Sequence, residues 1–567
     1  MLKEIIFVLT FLAIVILLAF PFGKYIAKIF TGQTTFITMI LQPLEKLVYK
    51  ISGIDENTEM DWKRYSFSFL VFTFFGFVCL FLLQEFQQYL PLNPQKFGPV
   101  RWDTALNTAI SFVTNTNWQS YSGEETMSYL TQMFGLTVQN FLSAASGLAV
   151  AVAFIRGFTR TNTNTIGNFW VDLIRSMIYI FLPLSILLAF IFISQGVIQT
   201  LTPYLNVQTL EARNQTIAFG PVASQVAIKF LGTNGSGFFN ANSAHPFENP
   251  TLLTSFLQIF AMLLIPAAFP FTFGILINKR RQGWAILSVM LILYLAGLSI
   301  SIYSECQGNP LLSNLGINNR INMEGKEVRF GIISSILFAH TTTATSCGGV
   351  NSMHDSFLPL TSLVLLFNMA VGEIIFGGVG VGLIGLLINA VLTMFIVGLM
   401  IGRSPEFLGK KLEPFEMLMS VICVLSTPVF VLVFSGIAIS CIAGLSSLNN
   451  LGPHGLSEIL YTFVSPTGNN GSAFAGLNAN TVFYNLTTSF AMVIGRLTTI
   501  IPALAIAGSL AEKKIIHQSS STFSTDVPLF VWLLVAVVIL VGGLTYFPVL
   551  ALGPILEHLL MNLGVTF

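Results

Sequence analysis

Apolar segments long enough to cross a lipid bilayer alternate with short polar segments along most of the chain. A spanning helix needs about 20 apolar residues. Segments of about this length are 5–22, 66–84, 132–155, 176–194, 252–277, 284–303, 357–402, 417–440, 483–507 and 527–550. The first could instead be the apolar part of a signal peptide, but no small-x-small cleavage site follows it. The pattern therefore predicts an all-α membrane protein with about ten transmembrane helices.

Four shorter apolar segments lie between these spans, and each is followed by an uncharged polar loop. Pro221 to Phe230 is the clearest case, because it is too short to cross a bilayer. The loops start at 114, 232, 347 and 468, at intervals of 118, 115 and 121 residues. Near-equal spacing indicates internal repeats. The four quartets are Thr114-Asn115-Thr116-Asn117, Gly232-Thr233-Asn234-Gly235, Cys347-Gly348-Gly349-Val350 and Gly468-Asn469-Asn470-Gly471.

This arrangement predicts a cation filter built from backbone carbonyls. None of the quartets contains Asp, Glu, Lys or Arg, so carboxylates would not coordinate the ion. Each preceding half-helix would direct the negative end of its dipole at its loop. A single loop of this composition would be an ordinary turn. Four at matched spacing favour four helix–pore loop–helix repeats.

The apolar stretch 357–402 is too long for one straight crossing. As a continuous helix it would measure about 69 Å at 1.5 Å per residue. Glycine weakens a helix interior, so we expect non-helical backbone at Gly377, Gly378, Gly380 and Gly382. The alternative is that these glycines allow close helix packing.

Composition and charge narrow the class of protein. The chain is 54% hydrophobic and only 9% charged, whereas soluble proteins carry roughly 25% charged residues. A net charge of +1 argues against nucleic acid as a partner. No nucleotide-binding or zinc-protease motif is present, so we expect no cofactor in this chain. A membrane-embedded enzyme is disfavoured because the sequence shows no catalytic constellation.

Basic residues predict the orientation. The loops 23–65, 156–170, 278–283, 403–416 and 508–526 each carry at least two Lys or Arg, whereas 441–482 carries none. Basic loops face the cytoplasm. Both termini and the four polar loops are then predicted to lie outside.

Two charged residues lie within predicted spans. Arg496 is about midway along 483–507, and Glu373 precedes the glycine cluster. Charge at this depth is costly and often functional. We expect both side chains to face a watery ion path or gate; the alternative is a structural ion pair.

The loop sequences resemble those of the KdpA family, the potassium-binding subunits of bacterial Kdp potassium-transporting ATPases. The likeness covers essentially the whole chain, and it implies a fold with pseudo-fourfold symmetry, like a potassium channel folded from one chain. It is carried by TNTNWQSYSG (114–123), LGTNGSGFFNANSAHPFENPT (231–251), TSCGGVNSMHD (345–355) and SPTGNNGSAFAGL (465–477). Gln119 matches a glutamine beside the first loop, and Glu373 and Arg496 match an intramembrane acid and base. Ser236 departs from the usual third glycine of the second loop, outside the quartet.

The resemblance implies a function and partners. The chain would bind K⁺ and pass it through an intramembrane tunnel to a KdpB-like P-type ATPase subunit, which would use ATP and Mg²⁺. A KdpC-like single-span subunit and a KdpF-like small peptide would complete the complex. Its location would be the bacterial inner membrane, in contact with lipid. The alternative is a stand-alone channel or symporter subunit of the Trk/Ktr/HKT type.

The expected organisation has one extra helix at each end and four repeats between them. The predicted bounds are 1–65 for the first helix and its loop, 66–155, 176–277, 284–402 and 417–507 for the repeats, and 508–567 for the final loop and helix.

Overall fold

The computed structural model describes residues 2–317, 321–516 and 523–565. Within them, ten helices are long and apolar enough to cross a membrane. This confirms the predicted all-α membrane fold. The helices are Ile6–Phe30, Trp62–Glu85, Thr131–Thr159, Phe169–Ser194, Leu252–Leu276, Arg280–Asn314, Val381–Ile401, Pro414–Ser440, Val482–Glu512 and Pro528–Asn562. The predicted final unit, 508–567, includes residues 517–522 and 566–567, which lie outside the described part of the chain.

Four shorter helices, here called pore helices 1 to 4, each lie between two spanning helices. They are Trp102–Val113, Val222–Leu231, Gly331–Ala344 and Gly452–Thr467. Pore helix 2 begins one residue after Pro221, which is its N-cap. All four are largely buried. Pore helices 1, 2 and 4 end one residue before a predicted quartet, whereas pore helix 3 ends three residues before Cys347.

Each repeat has an outer and an inner spanning helix. In the first repeat, 17% of the most apolar part of Trp62–Glu85 is buried, compared with 83% for Thr131–Thr159. In the fourth repeat, Val482–Glu512 is likewise more buried than Pro414–Ser440. The inner helices therefore surround the four loops, and the outer helices present apolar side chains to the lipid.

Polar side chains near the helix ends explain where two of the spanning helices begin. Asp61 caps Trp62–Glu85 by accepting a hydrogen bond from the backbone N–H of Arg64. The fourth spanning helix begins seven residues before its predicted start at 176. This polar extension is stable inside the protein because Asp172 pairs with Arg156 at 2.5 Å and Arg175 pairs with Glu45 at 2.9 Å.

The third repeat has the interrupted inner helix. Pro359–Ala370 is followed by non-helical backbone over 371–380 and then by Val381–Ile401. The break starts earlier than the glycine cluster, and Gly382 lies inside the second helix. The backbone is left-handed at Gly372, Glu373, Phe376, Gly377 and Gly380.

The remaining elements connect these helices. An amphipathic helix, Phe36–Ser52, follows the first span. Three antiparallel strand pairs are present in the described residues: Met60–Asp61 with Thr165–Gly167, Leu205–Gln208 with Asn214–Ile217, and Glu406–Phe407 with Lys410–Lys411. The short helices are Gln87–Tyr89, Gly123–Thr126, Asn242–Ala244, His354–Ser356 and Ile442–Leu445; the span Arg280–Asn314 itself consists of Arg280–Gln307 and Pro310–Asn314.

Candidate functional site

The four polar loops share one backbone conformation. Each has two residues with positive φ, separated by a single residue. The eight φ values are 63° at Asn115, 56° at Asn117, 48° at Thr233, 95° at Gly235, 54° at Ser346, 80° at Gly348, 60° at Asn469 and 99° at Gly471. Asparagine and glycine tolerate this region well, whereas a β-branched residue such as Thr233 rarely adopts it. The alternation shows that the loops are structural repeats.

This shared conformation corrects the register of the third quartet. In the other three loops, the first quartet residue is the C-cap of the pore helix, and the second and fourth residues have positive φ. In the third loop the C-cap is Thr345. The equivalent quartet is therefore 345–348, two residues before the predicted Cys347–Val350. We call the quartets 114–117, 232–235, 345–348 and 468–471 loops 1 to 4.

The loops also share a hydrogen bond back to their pore helices. The backbone N–H at the third position of each loop donates to a carbonyl five residues earlier. These bonds run from Thr116 to Ser111, from Asn234 to Lys229, from Cys347 to Thr342 and from Asn470 to Ser465, at 2.7–3.1 Å. The backbone N–H group at the third position of each loop is therefore already hydrogen-bonded to the pore helix.

The carbonyl oxygens of the same four residues are available to a ligand. No donor among the residues that the structure describes bonds to the carbonyl oxygen of Thr116, Asn234, Cys347 or Asn470. Buried carbonyl groups normally have a partner. A dehydrated cation supplies one, because carbonyl oxygens can replace its water shell.

Neighbouring loops touch in the order 1, 2, 3, 4 and back to 1. The Asn234 side chain donates to Asn115 Oδ1 at 2.7 Å and so joins loops 1 and 2. A Cβ atom at Gly235 would collide with the Cys347 carbonyl, and one at Gly348 would collide with that of Asn470. Asn469 Nδ2 donates to the Thr116 hydroxyl at 2.9 Å and closes the ring.

Side chains beside the ring hold it from outside. The Gln119 side chain forms two hydrogen bonds with the backbone of Gly237, at 3.0 Å and 2.9 Å. Asn117 donates to Ser236 Oγ at 2.7 Å. The serine that departs from the familiar sequence of the second loop is therefore bonded to loop 1.

The ring separates two cavities. The first has a volume of about 1040 Å³, and its lining includes Gly348 and Gly471, the last residues of loops 3 and 4. The second has a volume of about 80 Å³ and is lined by earlier loop residues, including Ser346 and Asn469. An ion passing through the ring would move from the large cavity to the small one.

The interruption of the third repeat lies directly beneath loops 2 and 3. The N–H of Gly377 donates to the Ala344 carbonyl at 2.9 Å. The N–H of Val379 donates to the Thr233 hydroxyl at 3.0 Å. A Cβ at Gly378 would lie 3.1 Å from that of Ser346. The non-helical segment is thus bonded to the ring and narrows the space below it.

Glu373 and Arg496 line the small cavity together, and both are more than nine-tenths buried. Among the described residues neither forms an ion pair, so the alternative of a structural salt bridge is not supported. A Cβ at Gly468 would lie 3.4 Å from Glu373 Oε1. Arg496 donates to the Ser143 carbonyl at 3.4 Å, while no described residue bonds to its Nε.

Sequence reasoning missed a buried ion pair behind loop 2. Lys229 Nζ lies 2.7 Å from Glu248 Oε2, and both side chains are fully buried. The same ammonium donates to Asn242 Oδ1 at 2.7 Å, and the Lys229 carbonyl accepts from Asn234 and Gly235 of the loop. The signal in the sequence was a lysine inside an apolar half-helix.

Comparisons with known proteins give the family. A model of the family described as "KdpA: Potassium-transporting ATPase A subunit" matches residues 9–559. A potassium-transporting ATPase potassium-binding subunit of Methylorubrum extorquens is 54% identical over 555 residues, covering 98% of this chain and 97% of the relative. The subunit of the same name from Solibacter usitatus is also 54% identical, over 557 residues and 98% of each chain.

A solved structure confirms the fold. The potassium transporter TrkH from Vibrio parahaemolyticus aligns with a TM-score of 0.52 and covers 86% of this chain and 96% of its own. Its sequence identity is 13%, so this likeness concerns the arrangement of helices alone.

Proposed function

The chain belongs to the KdpA family of potassium-transporting ATPase subunits, and we propose that loops 1 to 4 are the site at which it binds K⁺. The observation that carries this proposal is the closed ring of four equivalent loops, each with a carbonyl that accepts no hydrogen bond from the residues that the structure describes. The residues concerned are those of 114–117, 232–235, 345–348 and 468–471, with Gln119 as a support. Val350 and Gly349 of the predicted third quartet lie after the ring.

The transported ion would continue into the small cavity. Glu373 supplies an acceptor beneath the ring, and Arg496 opposes straight passage of a cation. Gly377, Gly378, Gly380 and Gly382 form or border the backbone that narrows this path. The cavity is also lined by Gly542 and Tyr546 of the last spanning helix, which supports a lateral route toward that side of the subunit.

The pump assignment implies partners that carry out the ATP chemistry. A KdpB-like P-type ATPase subunit would use ATP and Mg²⁺ and receive K⁺, and KdpC-like and KdpF-like subunits would complete the complex. The relatives are named as ATPase subunits, which favours this assignment over a stand-alone Trk/Ktr/HKT-type transporter.

The proposed setting is the bacterial inner membrane, with both termini and the large cavity outside. Predicted inner loops meet in the structure, which supports a common side for them. Lys410 Nζ donates to the carbonyls of Arg160 and Lys513, each at 2.6 Å. We retain the division into an extra helix and loop (1–65), four repeats (66–155, 176–277, 284–402 and 417–507) and a final helix (508–567).

Substitution of Gly468 tests the proposed K⁺ site. Gly468→Asp would place a second carboxylate beside Glu373, whereas Gly468→Asn adds similar bulk without charge. In the purified complex, we expect Gly468→Asp to lower apparent K⁺ affinity in K⁺-stimulated ATP hydrolysis at least tenfold and to reduce discrimination against Na⁺. Gly468→Asn should retain more of both. Wild-type affinity and selectivity in Gly468→Asp would refute the assignment.

Reconstitution tests the pump assignment separately. The chain is purified through a tag, with and without co-expression of the P-type ATPase subunit, and K⁺ flux is measured in liposomes. We expect the chain to co-purify with the ATPase subunit and flux to require ATP. Rapid ATP-independent flux by the isolated chain would favour the stand-alone alternative.

A further inference from the structure

A cluster of ligand-type side chains lies outside the ring of loops, against pore helix 4. One oxygen of Asp355, one ring nitrogen of His454 and one oxygen of Glu458 lie within 4.8 Å of one another. Asp355 belongs to the short helix that follows loop 3, and the other two belong to pore helix 4. The fold therefore assembles three residue types that bind divalent metals.

A fourth side chain fixes the histidine ring. His454 Nδ1 lies 2.8 Å from Glu557 Oε1, and Nε2 lies 3.2 Å from Asp355 Oδ1. A neutral imidazole donates through one nitrogen and accepts through the other. The shorter contact suits an N–H donated by Nδ1 to Glu557. Nε2 then presents its lone pair to the side where Asp355 and Glu458 lie, in the arrangement typical of a metal-binding histidine supported by a carboxylate.

Glu458 supplies an independent indication of a ligand. It is fully buried, and its Oε1 accepts a hydrogen bond from Asn450 at 2.7 Å. Its Oε2 is also buried but has no hydrogen-bond partner in the described structure. An ionised carboxylate in this position requires a compensating charge.

Among the described residues, only the His454 ring can carry a compensating charge, and it already lies against two other carboxylates, Asp355 and Glu557. Three carboxylates surround one imidazole, and within 2–317, 321–516 and 523–565 no Lys or Arg forms an ion pair with Asp355, Glu458 or Glu557. Gly476 leaves room between the acids, since a Cβ there would collide with Glu458 Oε1 and lie 2.6 Å from Asp355 Oδ2. A divalent cation would neutralise the excess negative charge of the cluster.

We propose that Asp355, His454 and Glu458 form a binding site for a divalent transition-metal ion of the Zn²⁺ type, oriented by Glu557. One nitrogen and two oxygen ligands suit Zn²⁺, which commonly completes its coordination with water. Imidazole favours such metals over Mg²⁺ or Ca²⁺, which prefer oxygen ligands alone. This site is distinct from the proposed K⁺ ring.

The position of the site gives the metal a structural effect. The His454 ring stacks with Phe474, and Phe474 stacks with Tyr461 at a centroid distance of 4.1 Å. Tyr461 shares a hydrogen bond of 2.7 Å with Ser472, which donates to the Asn470 side chain of loop 4. Bound metal would thus brace the wall of the large cavity and, through it, loop 4.

Zinc content measures the proposed site directly. The intact complex is stripped with a chelator and titrated with Zn²⁺; bound zinc is then quantified by mass spectrometry. We expect wild type to bind one zinc per complex more than Glu458→Gln. Glu557→Gln, which keeps all three ligands, should bind that zinc 10–100-fold more weakly, the usual effect of losing such a support. Glu125→Gln removes an exposed carboxylate and should bind zinc as wild type does.

Thermal unfolding separates metal binding from folding. Without metal, Glu458→Gln should be at least as stable as wild type, because it removes one of several uncompensated like charges. With Zn²⁺, wild type should gain stability and Glu458→Gln should not. Equal zinc content in wild type and Glu458→Gln would overturn the proposal; it would show that protons compensate the cluster. Loss of the same zinc in Glu125→Gln would overturn it too, since binding would then be unspecific.

Discussion

Gly471 packs so closely against Thr116 that a methyl group at position 471 would collide with the Thr116 carbonyl oxygen. This contact joins loop 4 to loop 1 and closes the ring. That oxygen is one of the four loop carbonyls that have no hydrogen-bond donor in the described part of the chain. The position therefore connects the packing of the ring directly to its proposed binding of K⁺.

Gly471→Ala should disrupt K⁺ binding. The added Cβ would displace the Thr116 carbonyl, and φ at 471 is 99°, a value that alanine rarely adopts. We expect apparent K⁺ affinity to fall at least tenfold in K⁺-stimulated ATP hydrolysis by the complex. Gly436→Ala is the matched control, because a Cβ at Gly436 meets no atom within 4 Å. Equal loss in the control, or unchanged affinity in Gly471→Ala at normal complex yield, would contradict this prediction.

Thr233→Val should loosen the interrupted segment. The Thr233 hydroxyl accepts the N–H of Val379, and an unpaired buried N–H costs about 1–3 kcal/mol. We expect ATP-independent K⁺ flux in liposomes to rise. Thr233→Ser keeps the hydroxyl and should remain as tight as wild type. If Thr233→Val does not leak, this hydrogen bond does not close the path.

Lys229→Met should destabilise the subunit strongly. It would leave Glu248 buried without its cation, a change that typically costs 3–5 kcal/mol. We expect a lower unfolding temperature of the complex. Lys229→Met combined with Glu248→Gln should recover part of the loss, because the unpaired charge is then absent. A double variant less stable than the sum of the single effects would show that the ion pair is not the reason for the loss.

Sequence periodicity predicted the helices well because hydrophobic length governs membrane crossing. Three of the predicted quartets coincide with loops whose second and fourth residues have positive φ, and five of those six residues are glycine or asparagine. In the third loop, Ser346 takes one of these positions. Serine does not by itself indicate positive φ. The predicted quartet was therefore placed around Gly348 and Gly349, two residues further along the chain than the equivalent loop.

The extent of the helix break could not be inferred from glycine content. Glu373 and Phe376 also have left-handed backbone, held by contacts of the segment with loops 2 and 3 that are remote in sequence. The cluster around His454 was missed for a similar reason. Asp355 and Glu557 each lie about 100 residues from His454, and only the folded chain brings them together.

Glu373→Gln should slow K⁺ transfer while preserving the shape of the side chain. The substitution removes the carboxylate from the small cavity, where no described cation pairs with it. We expect maximal K⁺-stimulated ATP hydrolysis to fall about tenfold, because a cation leaving the ring loses its charged acceptor. Glu373→Asp retains the charge and should retain more turnover. Wild-type turnover in Glu373→Gln would remove this residue from the ion path.

Arg496→Met should uncouple K⁺ movement from ATP hydrolysis. A fixed positive charge 4 Å from a K⁺ ion opposes it by about 4 kcal/mol at an effective dielectric constant of 20. Arg496 lines the small cavity and has no carboxylate partner among the described residues, so its charge acts on the ion path largely uncompensated. Methionine keeps an unbranched side chain of similar length but removes the charge. We expect more K⁺ transported passively in liposomes and fewer ions moved per ATP. Arg496→Lys keeps the charge and should remain coupled. If Arg496→Met retains wild-type coupling at normal complex yield, the charge is structural and does not direct the ion sideways.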